Sequence, residues 1–186
     1  MAAIIEAITN GAAGVERIVG NSTLTQPLCR MVDPSLTEGM VEWVAGHTLR
    51  HHLGMDRHIV NPGHVWDPTC PPLARDRPVT VLGMGAMGAA CGQALAAHKF
   101  PVTGWSRTAK EVPGIRCLYG AAGLNAALVS AQIVILLMPK TPETENILDA
   151  RTLAMLPRGA VILNPGRGAL IDDAALLAAL DARHIG

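Results

Sequence analysis

Three glycines in G-x-G-x-x-G spacing separate an apolar run from an alanine-rich run in VTVLGMGAMGAACGQALAAH. This spacing suits phosphate recognition, because the first glycine permits a tight turn, the second lets a phosphate approach the backbone, and the third lets a helix pack closely on a strand. The start of the helix adds free N–H groups and partial positive charge. The spacing alone is common in ordinary turns, but a strand before it and a second strand at 101–105 favour a dinucleotide site. The predicted cofactor-binding turn comprises Gly83, Met84, Gly85, Ala86, Met87 and Gly88.

The segment Trp105, Ser106, Arg107 and Thr108 follows the second apolar run, where a site for NAD normally carries Asp or Glu for the ribose hydroxyls. An acid would repel a 2′-phosphate, whereas a guanidinium forms charge-assisted hydrogen bonds with it. We therefore predict NADP(H) as the preferred cofactor, with NAD(H) also possible. Ser106 and Thr108 are predicted hydroxyl donors to the same phosphate. The alternative is that Arg107 is a solvated loop residue.

A second arginine follows a later apolar run, in VILNPGRGALIDD. This order places Arg167 at the carboxyl edge of the predicted sheet, where ligands of doubly wound folds bind. A guanidinium can hold the carboxylate and the carbonyl oxygen of an α-keto acid while polarising the carbonyl for hydride attack. The same residues are equally consistent with a turn that carries a surface arginine.

Short β-rich runs alternate with helical runs from Pro78 onward, and these elements must position the three segments. The predicted strands are VTVLG, PVTGW, QIVILLMP and GAVILNP, and the predicted helices are 86–98, 121–130, 143–156 and 172–182. Short apolar runs bounded by Gly and Pro indicate a parallel sheet that is covered on both faces. We predict an α/β fold with a Rossmann-type doubly wound parallel sheet over 77–186.

Residues 1–76 differ in composition, with most of the histidines and a proline-rich exit, NPGHVWDPTCPPLARDRP, that is typical of a connecting arm. The run EGMVEWVAGHTLRHHLGMDRHI predicts one long helix, capped by Ser35 or Thr37, that serves as a spine between domains or subunits. Its predicted apolar face comprises Met40, Val44, Leu49 and Leu53. On this helix His47 and His51 lie one turn apart and could share a metal, but no third ligand is evident, so we predict no metal site.

Composition and apolar patterning disfavour several classes of partner and of cellular location. Fifteen basic and fifteen acidic residues give a formal net charge of zero, which disfavours nucleic acid and acidic membranes as partners. Four cysteines without a Cys-x-x-Cys pair favour reduced thiols in a cytoplasm. The amino-terminal stretch carries Glu6 within its apolar part and does not resemble a signal peptide, and the longest apolar run, IVILLMP, is too short to span a bilayer.

Four motifs, LGMGAMG, WSRT, LLMPKTPET and LNPGRGALIDDAALLAALD, occur in an order that resembles the nucleotide-binding domain of the D-isomer-specific 2-hydroxyacid dehydrogenases. The similarity is greatest to their glyoxylate/hydroxypyruvate reductase branch. It extends through NGAAGVERI, MVDPSLTEGMVEWV and GHVWDP to nearly the whole chain. The resemblance implies an NAD(P)H-dependent reductase of small 2-keto acids, usually dimeric, in which 1–76 is part of a flavodoxin-like substrate-binding domain.

The resemblance also implies roles for individual residues. Arg167 is the catalytic arginine in this comparison, in a Pro-Gly-Arg-Gly sequence where the family usually has Ala-Arg-Gly. The substrate carboxylate is received by backbone N–H groups of Ala13, Gly14 and Val15. The nicotinamide is lined by Met138, Pro139 and Thr141, with Asn164 and Pro165 beneath the ring.

The family's general acid is a histidine paired with a glutamate, and both lie downstream of the segment that ends at Gly186. His184 is not expected to replace it. The sequence thus resembles the middle of a longer enzyme, and the strand GAVILNP is expected to form an exposed sheet edge. We predict NADPH-dependent reduction of a glyoxylate-like or hydroxypyruvate-like acid by a homodimer. The alternatives are a non-catalytic dinucleotide-binding module and an unrelated NADP enzyme on the same fold.

Overall fold

The computed structural model describes residues 8–10, 21–23, 25, 27–30, 33–61 and 63–186. Within these residues the chain forms seven β-strands and six α-helices. In chain order they are β1 (Ile8–Asn10), β2 (Leu28–Arg30), α1 (Pro34–His52), α2 (Met55–Val60), β3 (Val79–Leu82), α3 (Ala86–Ala97), β4 (Val102–Ser106), β5 (Arg116–Tyr119), α4 (Gly120–Leu128), β6 (Ile133–Leu136), α5 (Ala150–Ala154), β7 (Val161–Leu163) and α6 (Asp173–Asp181).

Five strands form one sheet in the order β5-β4-β3-β6-β7, and every neighbouring pair is parallel. The chain begins this sheet at its centre with β3, builds outward to β5, and returns to the other side of β3 with β6. This reversal of direction is the feature that creates a ligand crevice in doubly wound folds. The predicted Rossmann-type parallel sheet is therefore confirmed. The strands β1 and β2 form a separate parallel pair.

Helices cover both faces of this sheet. Alternate strand residues such as Val79, Val81 and Ile135 pack with Val44 of α1 and Cys91 of α3. The opposite face packs against a second cluster, to which Leu128 of α4 and Leu153 of α5 belong. Because neither face meets solvent, β3 and β6 are buried at every position, which explains their continuous apolar sequences.

The long helix predicted through residue 59 is in fact two helices. Asp33, and not Ser35 or Thr37, is the N-cap of α1: its carboxylate accepts a hydrogen bond from the Ser35 N–H at 2.9 Å. Pro34 at the first helical position favours this start, since its fixed φ suits a helix and it lacks an N–H that would need a partner. The helix ends before Gly54, whose φ of 63° is left-handed, and Leu53 is exposed instead of lying on the buried face.

The predicted helix at 143–156 is shorter than expected. Turns occupy its first half, and α5 begins only after Asp149, which forms a reciprocal capping box with Thr152. The Asp149 side chain accepts from the Thr152 N–H at 2.8 Å, and the Thr152 hydroxyl accepts from the Asp149 N–H at 2.7 Å. This pair of bonds satisfies two backbone donors at that point and so fixes the start of the helix.

The edge strand β7 is partly covered. The Gly159 N–H donates to the His184 carbonyl at 2.7 Å, and Ile185 forms a parallel bridge with Ala160. The His184 ring nitrogen Nε2 lies 3.1 Å from the Leu153 carbonyl oxygen, so this histidine ties the end of the described chain to α5. The expectation that the strand GAVILNP is an open edge therefore needs correction at its amino end.

His52, the last residue of α1, is a buried histidine. Its ring meets Phe100 edge-on at a centroid distance of 5.0 Å, and Thr48 is buried one turn earlier on the same helix. Burial lowers the pKa of His52 from its ordinary value of 6.5, and the nearby positive charge of Arg77 lowers it further. Burial also lowers the pKa of His51. Both imidazoles are therefore more stable in the neutral form when the chain is folded.

We expect the free energy of unfolding to decrease as the pH falls below about 6.5, the ordinary pKa of histidine. As the pH falls, the unfolded chain, whose histidines titrate near 6.5, binds protons before the folded chain does. Burial of the neutral imidazole therefore contributes fully to the stability of the folded chain above that pH, and this contribution is lost below it. A difference of one pKa unit between the folded and unfolded states corresponds to about 1.4 kcal/mol in the free energy of unfolding. Urea denaturation at several pH values gives the free energy of unfolding at each pH. We expect this free energy to depend less steeply on pH in His52→Gln than in the wild type. His58→Gln, which replaces an exposed histidine of α2, is the control, and equal slopes for both variants would contradict the assignment.

Candidate functional site

Four loops meet at the carboxyl edge of the five-stranded sheet. They follow β3, β4, β6 and β7, which are adjacent and parallel, so their carboxyl ends lie side by side. The predicted site residues on these loops are 83–88 after β3, 105–108 at the end of β4, Met138, Pro139 and Thr141 after β6, and Asn164, Pro165 and Arg167 after β7. The structure brings these four segments together. The predicted substrate loop of Ala13, Gly14 and Val15 lies outside the described residues.

The turn between β3 and α3 requires glycine at two positions. Gly83 has a φ of 109°, and a β-carbon on it would lie 2.5 Å from the carbonyl oxygen of Leu137. A β-carbon on Gly88 would clash with the carbonyl oxygen of Gly83. The first glycine thus allows the turn to pass close to the end of β6, and the third allows α3 to pack against the turn, as the spacing predicts.

Gly85 differs from these two glycines, because no protein atom lies within 4 Å of a β-carbon built on it. It is the N-cap of α3, it has no side-chain cap, and the first turn of the helix contains no acidic residue. The first N–H groups of α3 have no carbonyl partner within the helix, and Gly85 and Ala86 at its start are exposed. An anionic pyrophosphate fits this arrangement, since it can accept those N–H groups and interact favourably with the helix dipole.

Three predicted cofactor residues direct their side chains into the core instead. Met84 and Met138 are 4% and 7% exposed, and the Met84 side chain occupies the space beside Gly104 that a β-carbon would fill. Trp105 is 8% exposed, and its indole N–H donates to the Gly120 carbonyl at 2.9 Å. These three side chains pack in the core beneath the loops and so anchor the loops to the sheet. Cofactor binding by these three residues stays a prediction.

Arg107 extends from the loop after β4, with 74% of its side chain exposed. Its guanidinium Nη1 lies 3.8 Å from the Glu143 carboxylate oxygen Oε2 on the loop after β6. The Ser106 hydroxyl donates to the Thr108 carbonyl at 2.7 Å, which tightens the loop that carries Arg107. One short hydrogen bond thus holds the backbone around Arg107, while its exposed side chain extends toward the loop after β6.

The loop after β6 is held by two threonines. Thr144 Oγ1 accepts from the Thr141 N–H and donates to the Pro139 carbonyl, each at 2.7 Å. The Thr141 side chain lowers the pKa of Glu143, and the positive charge of Arg107 contributes to the same shift. Glu143 was not predicted as a site residue. Its position after the strand next to β3 is the signal that could have placed it near Arg107, since both loops end at the same sheet edge.

Asn164 organises the loop that carries Arg167. Its side-chain Oδ1 accepts from the Gly166 N–H at 3.1 Å, and its Nδ2 donates to the Arg167 carbonyl at 2.9 Å. The exposed Arg167 guanidinium donates through Nη1 to the Gly166 carbonyl at 3.2 Å. A β-carbon on Gly166 would lie 3.0 Å from the Leu136 carbonyl oxygen, so this extra glycine suits the close approach to β6. The guanidinium is thereby placed at the same edge as the glycine turn, where it can bind a carboxylate.

Other features of the described chain lie away from this edge. His47 packs on Trp43 at a centroid distance of 4.1 Å. Across the residues with assigned positions, no three His, Cys, Asp or Glu side chains cluster as metal ligands do, and no helix has the length and apolarity to cross a bilayer. A cavity of about 700 Å³ at the amino end of β4 is lined by Leu73, Ala74, Arg75, Ala96, His98, Lys99, Phe100, Pro101 and Gly114, none of which is a predicted site residue.

Several solved proteins resemble this chain in both fold and sequence. A D-isomer specific 2-hydroxyacid dehydrogenase from Xanthobacter autotrophicus Py2, solved with NADPH and MES, is 37% identical with a TM-score of 0.93, and the match covers 97% of this chain and 58% of that one. An NADPH-dependent glyoxylate/hydroxypyruvate reductase from Sinorhizobium meliloti, solved with NADP and sulfate, is 35% identical with a TM-score of 0.89, covering 97% and 59%. A D-isomer specific 2-hydroxyacid dehydrogenase family protein from Klebsiella pneumoniae 342 is 31% identical with a TM-score of 0.91, covering 96% and 58%.

The chain therefore spans less than two thirds of the length of the solved structures that it matches. Residues 46–186 match the family model for the NAD binding domain of D-isomer specific 2-hydroxyacid dehydrogenases. The resemblance found in the ordered motifs is confirmed by this match and by the structural neighbours. The chain belongs to the D-isomer specific 2-hydroxyacid dehydrogenase family.

Proposed function

We propose that this chain binds NADP(H) and takes part in the NADPH-dependent reduction of a small 2-keto acid, such as glyoxylate or hydroxypyruvate, to the 2-hydroxy acid. The observation that carries the proposal is the exposed Arg107 beside the glycine turn, at the position where an NAD site has an acid. The solved relatives that contain NADPH or NADP support this choice of cofactor.

Each loop has a proposed task in this reaction. The backbone at Gly85 and the start of α3 bind the pyrophosphate, while Arg107 binds the 2′-phosphate. The bound cofactor supplies the hydride. Arg167 holds the substrate carboxylate and polarises the carbonyl, and Asn164 keeps the Arg167 loop in place through its two hydrogen bonds. The resemblance to the family implies that a His–Glu pair of the whole protein donates the proton.

We also propose that residues 1–76 belong to a substrate-binding domain, that 77–186 form the cofactor domain, and that the whole protein is a cytoplasmic homodimer. The apolar side chains of Ile59, Val65 and Trp66, which are 74%, 66% and 87% exposed, support a second copy as their covering partner. The packing of α1 against α3 supports a role for α1 in joining the two parts.

Charge reversal of Arg107 tests the cofactor assignment. We expect Arg107→Glu to weaken NADPH binding about 10- to 100-fold, because a charge-assisted hydrogen bond is replaced by repulsion, while NADH binding changes little. The measurement is a fluorescence titration with each cofactor. Arg116→Glu is the matched control, since this exposed arginine is the first residue of β5 and lies at the amino end of the strands, away from the glycine turn. Equal losses of NADPH and NADH affinity would refute the 2′-phosphate assignment.

A further inference from the structure

Arg107 and Glu143 approach each other from two different loops. Their strands, β4 and β6, lie on either side of β3, so the pair extends across the carboxyl end of the strand that leads into the glycine turn. The two side chains are 74% and 61% exposed, and the closest charged atoms are 3.8 Å apart. The acid that an NAD site carries after β4 is absent here, and an acid from the loop after β6 lies beside Arg107 instead.

Glu143 is the acid of its loop that faces Arg107. Glu145, two residues later, pairs instead with Lys140 at 2.9 Å. The threonine contacts that join Thr141, Thr144 and the Pro139 carbonyl hold the loop in shape. The Glu143 carboxyl is ionised at neutral pH, as exposed glutamates are, and the Thr141 side chain and the charge of Arg107 lower its pKa further. A full negative charge is thus maintained beside the Arg107 guanidinium.

We propose that Glu143 competes with the cofactor 2′-phosphate for Arg107 and thereby limits the preference for NADPH over NADH. This inference rests on the proposed binding of NADP(H) at the glycine turn. A guanidinium that faces a carboxylate must exchange that partner for the phosphate, and two anionic groups at one cation repel each other. NADH lacks the 2′-phosphate, so its binding meets no such competition. Glu143 is in this sense a specificity-determining residue, because it reduces the preference for NADPH over NADH that Arg107 provides.

The test is the dissociation constant of each cofactor for Glu143→Gln, measured by fluorescence titration at low salt. We expect NADPH to bind about three- to tenfold more tightly, because an exposed charge a few ångströms from the phosphate is removed, and NADH to change less than twofold. Glu145→Gln is the matched control: it removes the same charge from the same loop, but from the side chain that pairs with Lys140. We expect less than a twofold change for both cofactors in this control.

Glu143→Gln in an Arg107→Ala background separates two effects of Glu143: competition with the 2′-phosphate for Arg107, and direct repulsion of the phosphate. If Glu143 acts by occupying Arg107, the gain in NADPH affinity should fall below twofold when Arg107 is absent. A full gain in that chain, an equal gain in Glu145→Gln, or unchanged or weaker NADPH binding in Glu143→Gln would overturn the inference. None of these results would affect the proposed function, whose cofactor assignment is tested separately by Arg107→Glu.

Discussion

Replacement of Arg167 by alanine is expected to lower kcat/KM for glyoxylate by about 10²- to 10³-fold in the whole protein that contains this segment, while the dissociation constant of NADPH changes less than twofold. The guanidinium is the proposed holder of the substrate carboxylate and the group that polarises the carbonyl, and it makes its contribution in the transition state. The measurement combines the optical rate of NADPH oxidation with a separate cofactor titration.

Two further variants sharpen this result. Arg167→Lys keeps the positive charge but loses the two-pronged geometry of the guanidinium, so we expect only partial recovery of the rate. Arg116→Ala removes an exposed arginine at the opposite edge of the sheet and should leave the rate unchanged. Undiminished turnover in Arg167→Ala would remove this residue from the mechanism. A wild-type protein that binds NADPH but reduces no 2-keto acid would favour a non-catalytic binding module.

The second large effect is expected for Gly88→Ala, which should lower the free energy of unfolding by about 1–3 kcal/mol and also weaken NADPH binding. The added β-carbon would clash with the Gly83 carbonyl oxygen. Because both atoms belong to the backbone or are fixed to it, the clash can be relieved only by moving α3 away from the turn. Urea denaturation and cofactor titration measure the two effects.

Two other glycines provide matched controls. Gly85→Ala meets no protein atom within 4 Å, so the chain should fold normally and lose only affinity for NADPH. Gly39→Ala, in the middle of α1 and equally unobstructed, should stabilise the chain by about 0.5–1 kcal/mol. Wild-type stability in Gly88→Ala would contradict the tight packing at this turn. Wild-type NADPH affinity in Gly85→Ala would contradict the close approach of a phosphate to the backbone.

The central strands were predictable because burial on both faces demands an uninterrupted apolar sequence, as in IVIL of β6. The strand β5 was missed for the complementary reason. It lies at the sheet edge, it is partly exposed, and its sequence RCLY begins with a charge and has an apolar run of only three residues. The break between α1 and α2 was also missed, because a glycine within a helical pattern signals a left-handed residue only when the surrounding packing selects that conformation.

The glycine turn could be predicted from sequence because its geometry depends on backbone clearance, which only glycine provides. Side-chain directions could not be predicted in the same way. Met84, Trp105 and Met138 are adjacent to loop residues that face the crevice, but as large apolar groups they are more stable in the core. The local sequences of the two loops do not encode the proximity of Glu143 to Arg107, which could be inferred only from the order of the strands that precede them.

The central position of β3 has a consequence for local opening of the chain. This strand is hydrogen-bonded on both sides, and all four of its residues are buried. Exchange of its amide protons with solvent must therefore follow global unfolding, whereas the exposed α2 and the proline-rich segment after it can exchange through small fluctuations. The glycine turn follows directly on this central strand. Ligand binding there needs to order only the surrounding loops, so the entropy cost of forming the phosphate site is met largely when the chain folds.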